Sequence, residues 1–156
     1  MLKQEQIDQF QRDGYLVVEN VLSQNELLSL RQQLETWVDE SREYTEAYGE
    51  TIDGRSRFDV DPVDHGADHP ALRRVSSPTE ISDVYFETAI HSNMAEMAGK
   101  LIGGSGTRFH HSKVNAKLPH TATTVKWHQD FPFTPHTNDD MITALLMVGE
   151  VTQDNG

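Results

Sequence analysis

The segment from Thr123 to Phe131 reads TTVKWHQDF. It is rich in β-branched and aromatic residues, which predicts a β-strand. In a strand, residues i and i+2 lie on the same face, so His128 and Asp130 would project together. An imidazole and a carboxylate placed in this way can bind one metal ion. One further histidine would complete the two-histidine, one-carboxylate set of an iron(II) site, although Mn, Co, Ni or Zn could use the same ligands.

The His-x-Asp triplet is not specific by itself. With eight histidines in an acidic chain, roughly one such triplet is expected by chance. A solvent-exposed histidine beside a solvated aspartate is the simplest alternative. The context strengthens the metal hypothesis, because Trp127 precedes the triplet, Phe131 follows it, and strands are predicted on both sides.

Further strands are predicted on each side of this segment. Residues 108–117 alternate loosely between apolar and polar side chains. Residues 141–151 form a nearly continuous apolar run, which is typical of a strand buried on both faces. That run leads into Asp154-Asn155-Gly156, a turn signal that normally introduces another strand. We therefore expect the chain to be a truncated domain.

The first hundred residues favour helices. Apolar spacing predicts a helix over residues 3–13, ended by Gly14, and a short strand over residues 15–18. Ser23 and Glu26 form a capping-box pattern, which predicts a helix through Val38 with an apolar face. That face comprises Leu27, Leu30, Leu34 and Trp37.

The middle of the chain is predicted to be less regular. Residues 44–78 contain many glycines, prolines and charges, which indicates a long loop with one extended piece at residues 57–60. A helix is predicted over residues 81–101, with Val84, Ile90, Met94, Met97 and Leu101 facing inward. The glycines of residues 103–106 should end that helix, because no strand–glycine–helix order indicates a phosphate-binding loop.

Composition limits the classes of partner. The net charge of −12 disfavours nucleic acids and anionic membranes, which both favour a basic surface. The chain has no cysteine, which excludes disulfides and thiolate metal sites within it. No apolar run is long enough to span a bilayer and no secretory signal is visible. We therefore expect a cytoplasmic protein that acts on a small molecule.

Four segments resemble one enzyme family. They are residues 5–23, with a short helix, a Gly-Tyr strand and a Ser-capped helix; residues 114–119, VNAKLP; residues 127–130, WHQD; and residues 143–156, which end in Asp-Asn-Gly. In this order they are similar to the N-terminal part of the phytanoyl-CoA dioxygenase family. That resemblance implies an iron(II)- and 2-oxoglutarate-dependent dioxygenase that hydroxylates a small organic or acyl substrate.

The resemblance also implies a fold. The expected class is α+β, with N-terminal helices packed on a partial, truncated double-stranded β-helix of the jelly-roll or cupin-like type. Residues 1–156 would form a single incomplete domain. Its first part, residues 1–106, would be mainly helix and loop. Its second part, residues 107–156, would hold the first strands of the β-helix and the His-x-Asp motif.

Site residues follow from the resemblance position by position. His128 and Asp130 would bind iron(II), and Asn115, Lys117 and Gln129 would contact 2-oxoglutarate. Leu145 departs from the tryptophan that the family often has. The family's second histidine ligand and its 2-oxoglutarate-binding arginine would lie beyond Gly156. We therefore expect this chain to be inactive alone and to self-associate through exposed strands.

Two alternatives remain open. The chain could be a catalytically inactive binding or structural protein on the same fold, or a cupin-like metal-binding domain that does not use 2-oxoglutarate. The remaining histidines are expected to be surface residues or weak candidates for metal binding. They are His65, His69, His91, His110, His111, His120 and His136.

Overall fold

Two helices at the start of the chain form where local sequence signals place them. The computed structural model describes residues 2–103, 106–121, 125–138 and 140–154. Helix α1 spans Gln4–Asp13 and ends at Gly14, whose left-handed backbone (φ 77°) donates to the Phe10 carbonyl. Helix α2 spans Gln24–Ser41 behind the predicted capping box, with Ser23 Oγ accepting from Glu26 N and the Glu26 carboxylate accepting from Ser23 N.

In the described residues, the β-structure is one antiparallel sheet of four short strands. They are β1 (Tyr48–Glu50), β2 (Ser56–Val60), β3 (Leu72–Ser76) and β4 (Lys113–Asn115), in the order β1-β2-β3-β4. Phe58 pairs with Val75, and Val75 pairs with Val114, so one row of apolar side chains crosses three strands. Helices together with an antiparallel sheet confirm the α+β class.

The core lies between α2 and one face of this sheet. Trp37 of α2 is buried with Phe58, Val60, Leu72 and Val75 of the strands. Its ring meets Phe58 edge-on, with 6.1 Å between ring centroids. This confirms the predicted apolar face of α2. Burial of these side chains is the main driving force for docking the helix on the sheet.

On the other face of the sheet, the buried side chain of Arg57 links several backbone carbonyls to the carboxylate of Glu80. The side chain of Arg57 is only 6% exposed and donates to the carboxylate of Glu80. It also donates to the carbonyls of Glu50, Ser76 and Ser77. Because each of these partners is an acceptor, the cost of burying the guanidinium is offset by charge-assisted hydrogen bonds.

The sequence prediction was wrong for much of residues 44–78. The extended piece at residues 57–60 is part of β2, but β1 and β3 were predicted as loop, and a 3-10 helix at Pro78–Glu80 follows. These strands are short and β2 carries the buried Arg57, so the apolar alternation that signals a strand is weak. Residues 15–18 form no strand, and Tyr15 and Val17 are exposed.

The predicted helix over residues 81–101 is two helices. Helix α3 spans Asp83–His91 and α4 spans Asn93–Ile102, with Ser92 between them in an extended conformation (ψ 166°). Ser92 is buried and its hydroxyl donates to the Thr88 carbonyl. Serine competes for backbone hydrogen bonds in this way, which explains the break. Gly103 ends α4 with a left-handed backbone, as predicted.

The strands predicted in the last third of the chain are mostly absent from the described residues. β4 covers only part of residues 108–117, while residues 125–131 and 141–151 carry no strand. Residues 123 and 124 lie outside the described residues. The apolar run that was predicted to be buried is largely exposed, including Leu145, Met147 and Val151. An apolar run needs neighbouring strands to become part of a sheet, and the described chain provides none there. Among the described residues, no helix is long and apolar enough to cross a membrane.

Candidate metal centre

His128 and Asp130 lie side by side although no strand carries them. Nε2 of His128 is 3.2 Å from Oδ1 of Asp130. The imidazole is 39% exposed and the carboxylate 51% exposed. The two side chains therefore converge as the sequence predicts, but on an irregular segment that is open to solvent.

A backbone carbonyl fixes the orientation of the imidazole. Nδ1 of His128 is 2.7 Å from the carbonyl oxygen of Lys126. A carbonyl can only accept, so Nδ1 carries a hydrogen; in the neutral form of the ring, the lone pair is then on Nε2. Many metal-binding histidines are oriented by such a hydrogen bond from the second nitrogen.

A turn that follows Asp130 holds the carboxylate end of the pair. The carbonyl of Asp130 accepts from the backbone N–H groups of Phe133 (2.9 Å) and Thr134 (3.0 Å). The ring of Phe133 then stands edge-on to the imidazole of His128, at 6.0 Å between centroids. Residues 128 and 130 therefore lie next to a local turn and not in a pleated strand.

The separation of the two donor atoms fits a shared metal ion. Adjacent ligands of an octahedral ion, each about 2.1 Å from it, lie roughly 3.0 Å apart. The observed 3.2 Å between Nε2 and Oδ1 is close to that value. A nitrogen and an oxygen donor together suit iron(II) and related divalent ions.

A third ligand is not found in the part of the chain that the structure describes, where no group of three histidine, aspartate or glutamate residues could hold a metal. His110 and His111 hydrogen-bond each other, with 2.7 Å between their Nδ1 atoms. Burial lowers the pKa of His111, the nearby His110, Lys113 and Arg55 lower it further, and Asp130 raises it. His111 therefore lies within electrostatic range of Asp130 without joining it as a ligand.

The residues predicted to contact 2-oxoglutarate are exposed. Asn115 ends β4 and Lys117 follows it, and the buried Ala116 between them shows that the two share a face. Gln129, between His128 and Asp130, is also exposed. Among the described residues, no hydrogen bond or ion pair joins Asn115, Lys117 or Gln129 to the His128–Asp130 pair.

The side chain of His65 is held by hydrogen bonds to the protein backbone. Its Nδ1 accepts from Ala71 N at 2.9 Å, so Nε2 donates to the carbonyls of Ser41 and Tyr44. His69 lies 3.3 Å from the His120 carbonyl, and His136 bonds the Thr134 carbonyl. With both nitrogens engaged, His65 is not available as a metal ligand.

A family model covers most of the chain, including the segment of this donor pair. The family model "Phytanoyl-CoA dioxygenase (PhyH)" matches residues 10–156, which include His128 and Asp130. The chain belongs to the phytanoyl-CoA dioxygenase family. None of the solved structures matches the chain significantly.

Three curated relatives carry dioxygenase or hydroxylase names. A protein of Stutzerimonas stutzeri described as a probable alpha-ketoglutarate-dependent hypophosphite dioxygenase is 35% identical over 85 residues, covering 54% of this chain and 29% of its own length. The ectoine dioxygenase of Stutzerimonas stutzeri (strain A1501) is 28% identical over 137 residues, covering 88% and 40%. The L-proline trans-4-hydroxylase of Streptomyces griseoviridis is 28% identical over 149 residues, covering 93% and 48%. The matched regions thus span less than half the length of each relative.

Sequence reasoning missed several features of this region. It did not place His111 near Asp130, and it did not single out Arg74 of β3 or Lys113 of β4. One signal was available, because no aspartate or glutamate occurs from Met97 to Gln129. A stretch that contains cations but no acidic residue indicates a basic surface on an otherwise acidic chain.

Proposed function

We propose that this chain is part of an iron(II)- and 2-oxoglutarate-dependent dioxygenase in which His128 and Asp130 bind the metal. What carries the proposal is the 3.2 Å separation of Nε2 and Oδ1 in a chain of the phytanoyl-CoA dioxygenase family. The names of two relatives contain dioxygenase, one of them specifying alpha-ketoglutarate dependence, which supports the same co-substrate here. The substrate class in this proposal is a small organic or acyl molecule, and the proposed location is the cytoplasm.

Each residue of the centre has a defined task in this proposal. His128 provides a neutral nitrogen donor, because Lys126 O holds the hydrogen on the other ring nitrogen. Asp130 provides a negatively charged oxygen donor that offsets part of the metal's charge. When bound, iron and 2-oxoglutarate supply the oxidising power for hydroxylation with O2. Asn115, Lys117 and Gln129 are proposed to hold the co-substrate through amide and ammonium groups.

The proposal also covers the architecture. The four-stranded sheet with α2 on one face is proposed to be the beginning of a double-stranded β-helix of the jelly-roll type. Residues 1–156 would be a single incomplete domain, with the helical part before residue 107 and the metal motif after it. The short match to each relative supports this.

Metal titration tests the proposal directly. Isothermal titration with Co(II), and anaerobic Fe(II) plus 2-oxoglutarate monitored for a weak visible charge-transfer band, should both respond to this chain. His128→Ala and Asp130→Ala should each abolish the response, because one remaining ligand holds the ion poorly. His136→Ala is the matched control and should retain it. Equal binding by the wild type and both ligand variants would refute the assignment.

A second candidate function is a catalytically inactive binding or structural protein. One observation favours it: no third metal ligand accompanies His128 and Asp130 among the described residues. The same titration separates the candidates. A folded chain that binds neither Co(II) nor Fe(II) would support the inactive alternative.

A further inference from the structure

Two tyrosine rings stack face to face where α2 leads into the sheet. Tyr44 follows the end of α2 at Ser41, and Tyr48 is the first residue of β1. Their ring planes differ by only 2°, and their centroids are 3.6 Å apart. Carbon atoms in van der Waals contact are about 3.5–4.0 Å apart, so the two phenol rings touch over their faces. On its other face, Tyr48 stacks on the buried Phe58 at 4.6 Å between centroids, which fixes its position.

The contact between the two phenols is closer than that of most aromatic pairs. Such pairs usually have centroids about 4.5–7 Å apart, with the rings offset or edge-on, because two electron-rich ring faces repel each other. Loss of an electron from one ring reverses this repulsion, since a positive charge is attracted to the face of an aromatic neighbour. The stack therefore favours one-electron oxidation of a tyrosine.

Charges around the stack act in the same direction. Burial raises the pKa of the Tyr48 phenol, and the nearby Glu40, Tyr44 and Glu43 raise it further. The two glutamates thus create a negative potential at the stack. A negative potential that opposes formation of a phenolate favours the removal of an electron.

The two tyrosines differ in their access to solvent. Tyr44 is 38% exposed, so a dissolved oxidant can reach its ring and water can accept its proton. The hydroxyl oxygen of Tyr48 is buried and has no hydrogen-bond partner among the residues that the structure describes. Such a hydroxyl does not stabilise the fold, and a redox role is one reason why a protein keeps it. Tyr44 is therefore the ring that is oxidised first, and Tyr48 is the ring within its reach.

We propose that Tyr44 and Tyr48 form a site of oxidative modification, at which a one-electron oxidant of the peroxide or persulfate class joins the two rings by a carbon–carbon bond. The fixed contact of the ring faces replaces a random encounter of two phenols. The product is a dityrosine that links the segment after α2 covalently to β1. This inference goes beyond the proposed function and does not depend on it.

The coupling step balances in electrons and protons. Tyr44 loses one electron to the oxidant and its hydroxyl proton to water. The ring carbon beside the C–O carbon of Tyr44 then bonds to the equivalent carbon of Tyr48. A second electron goes to the oxidant and a second proton to water, and both rings return to the phenol form. One persulfate ion accepts the two electrons and becomes two sulfate ions.

Photo-oxidation of the whole chain with a ruthenium polypyridyl complex and persulfate, at low protein concentration, tests this inference. The monomeric product should show the blue fluorescence of dityrosine and a mass lower by two hydrogen atoms. A glutamate-specific protease cleaves after Glu43, Glu46 and Glu50, which separates the two tyrosines of the unmodified chain. In the oxidised chain, peptides 44–46 and 47–50 should remain joined.

Single variants identify the two partners of the bond. Tyr44→Phe and Tyr48→Phe should each abolish the joined peptides. Tyr48→Phe should fold as the wild type does, because the hydroxyl that it removes has no partner among the described residues, and circular dichroism checks this for each variant. Tyr15→Phe is the matched control and should keep the joined peptides, because Tyr15 is more exposed than Tyr44, at 63%, but lies before α2.

Oxidation of the unfolded chain separates the effect of the fold from closeness in the sequence. A flexible chain could also join Tyr44 to Tyr48 across the short segment between them. In concentrated urea the yield of joined peptides should fall roughly tenfold, because the fixed orientation of the rings is lost. An equal yield in urea, no joined peptides from the folded chain, or joined peptides from either phenylalanine variant would overturn the inference. None of these measurements uses iron or 2-oxoglutarate, so their outcome is independent of the proposed function.

Discussion

The ring of His65 connects the end of α2 to the loop before β3. Ser41 and Ala71, two of its hydrogen-bond partners, are themselves buried. His65→Ala would leave Ala71 N without its acceptor and would remove one of the two donors to the Ser41 carbonyl, so we expect a loss of about 1–3 kcal/mol in the free energy of unfolding. Urea denaturation measures this loss. His91→Ala, on the exposed surface of α3, should change stability by less than about 0.5 kcal/mol; equal losses would contradict the role of His65.

Glu80 should make the stability of the fold depend on pH. The hydrogen bond from Arg57 lowers the pKa of Glu80 below its ordinary value of 4.5, and the bond from Ile52 N acts in the same direction. A carboxylate whose pKa is lowered by folding stabilises the protein above its unfolded pKa. That stabilisation is lost as the pH falls through the lower, folded pKa.

The corresponding variant is Glu80→Gln. It should be less stable than the wild type at pH 7, and the difference should shrink as the pH is lowered from above 4.5. Denaturation at a series of pH values measures it. Glu96→Gln is the control: Lys100 also lowers the pKa of Glu96, but this ion pair lies on the exposed surface of α4, so its pH-dependent contribution should be smaller. A difference that stays constant with pH would contradict the prediction.

At the candidate site, the sequence predicted which residues meet but gave the wrong reason. His128 and Asp130 were expected to converge because a strand alternates its side chains. They converge on an irregular segment, next to a turn that the Asp130 carbonyl closes with Phe133 and Thr134. Spacing in the sequence is compatible with both geometries. The position of Arg74 opposite Asn115 could not be predicted, because it depends on pairing between distant strands.

Among the elements, α2 depends most clearly on a local signal. Ser23 bonds the backbone of Glu26, and its N–H and hydroxyl bond the Glu26 carboxylate, which lowers the pKa of that group. Ser23→Ala removes the cap, so we expect a loss of about 1 kcal/mol in the free energy of unfolding. Thermal or urea denaturation measures it. Ser29→Ala, inside the same helix, should be neutral or slightly stabilising. An equal loss of unfolding free energy in both variants would show that the Ser23 cap does not stabilise the helix.

The elements that were predicted correctly are those specified by neighbouring residues. The caps at Gly14, Ser23 and Gly103 act within one turn, so α1, the start of α2 and the end of α4 follow from the sequence. β1 and β3 are stabilised by pairing with β2, and β2 holds the buried Arg57 whose partner Glu80 is 23 residues away. Such distant partners leave little trace in a local pattern, and for the same reason the break at Ser92 was missed.

At the scale of the whole molecule, several large apolar side chains within residues 125–138 and 140–151 are exposed. Trp127, Phe133, Leu145 and Met147 are all exposed there. Large apolar side chains that are exposed in such number often mark an interaction surface. β4 also ends the sheet order, so its outer edge has no neighbouring strand among the described residues. An open edge and an apolar segment both favour association with another chain.

We therefore expect this chain to self-associate through that surface. Its weight-average mass, measured by sedimentation or light scattering, should rise with concentration. Replacing Leu145 and Met147 together by lysine should shift the equilibrium towards monomer, because the charged side chains would have to be buried in the contact. The control replaces Tyr15 and Val17 by lysine, since they are exposed to a similar degree but lie outside the surface. A wild type that stays monomeric at high concentration would contradict this prediction. An equal effect of the control pair would assign the contact to general surface hydrophobicity.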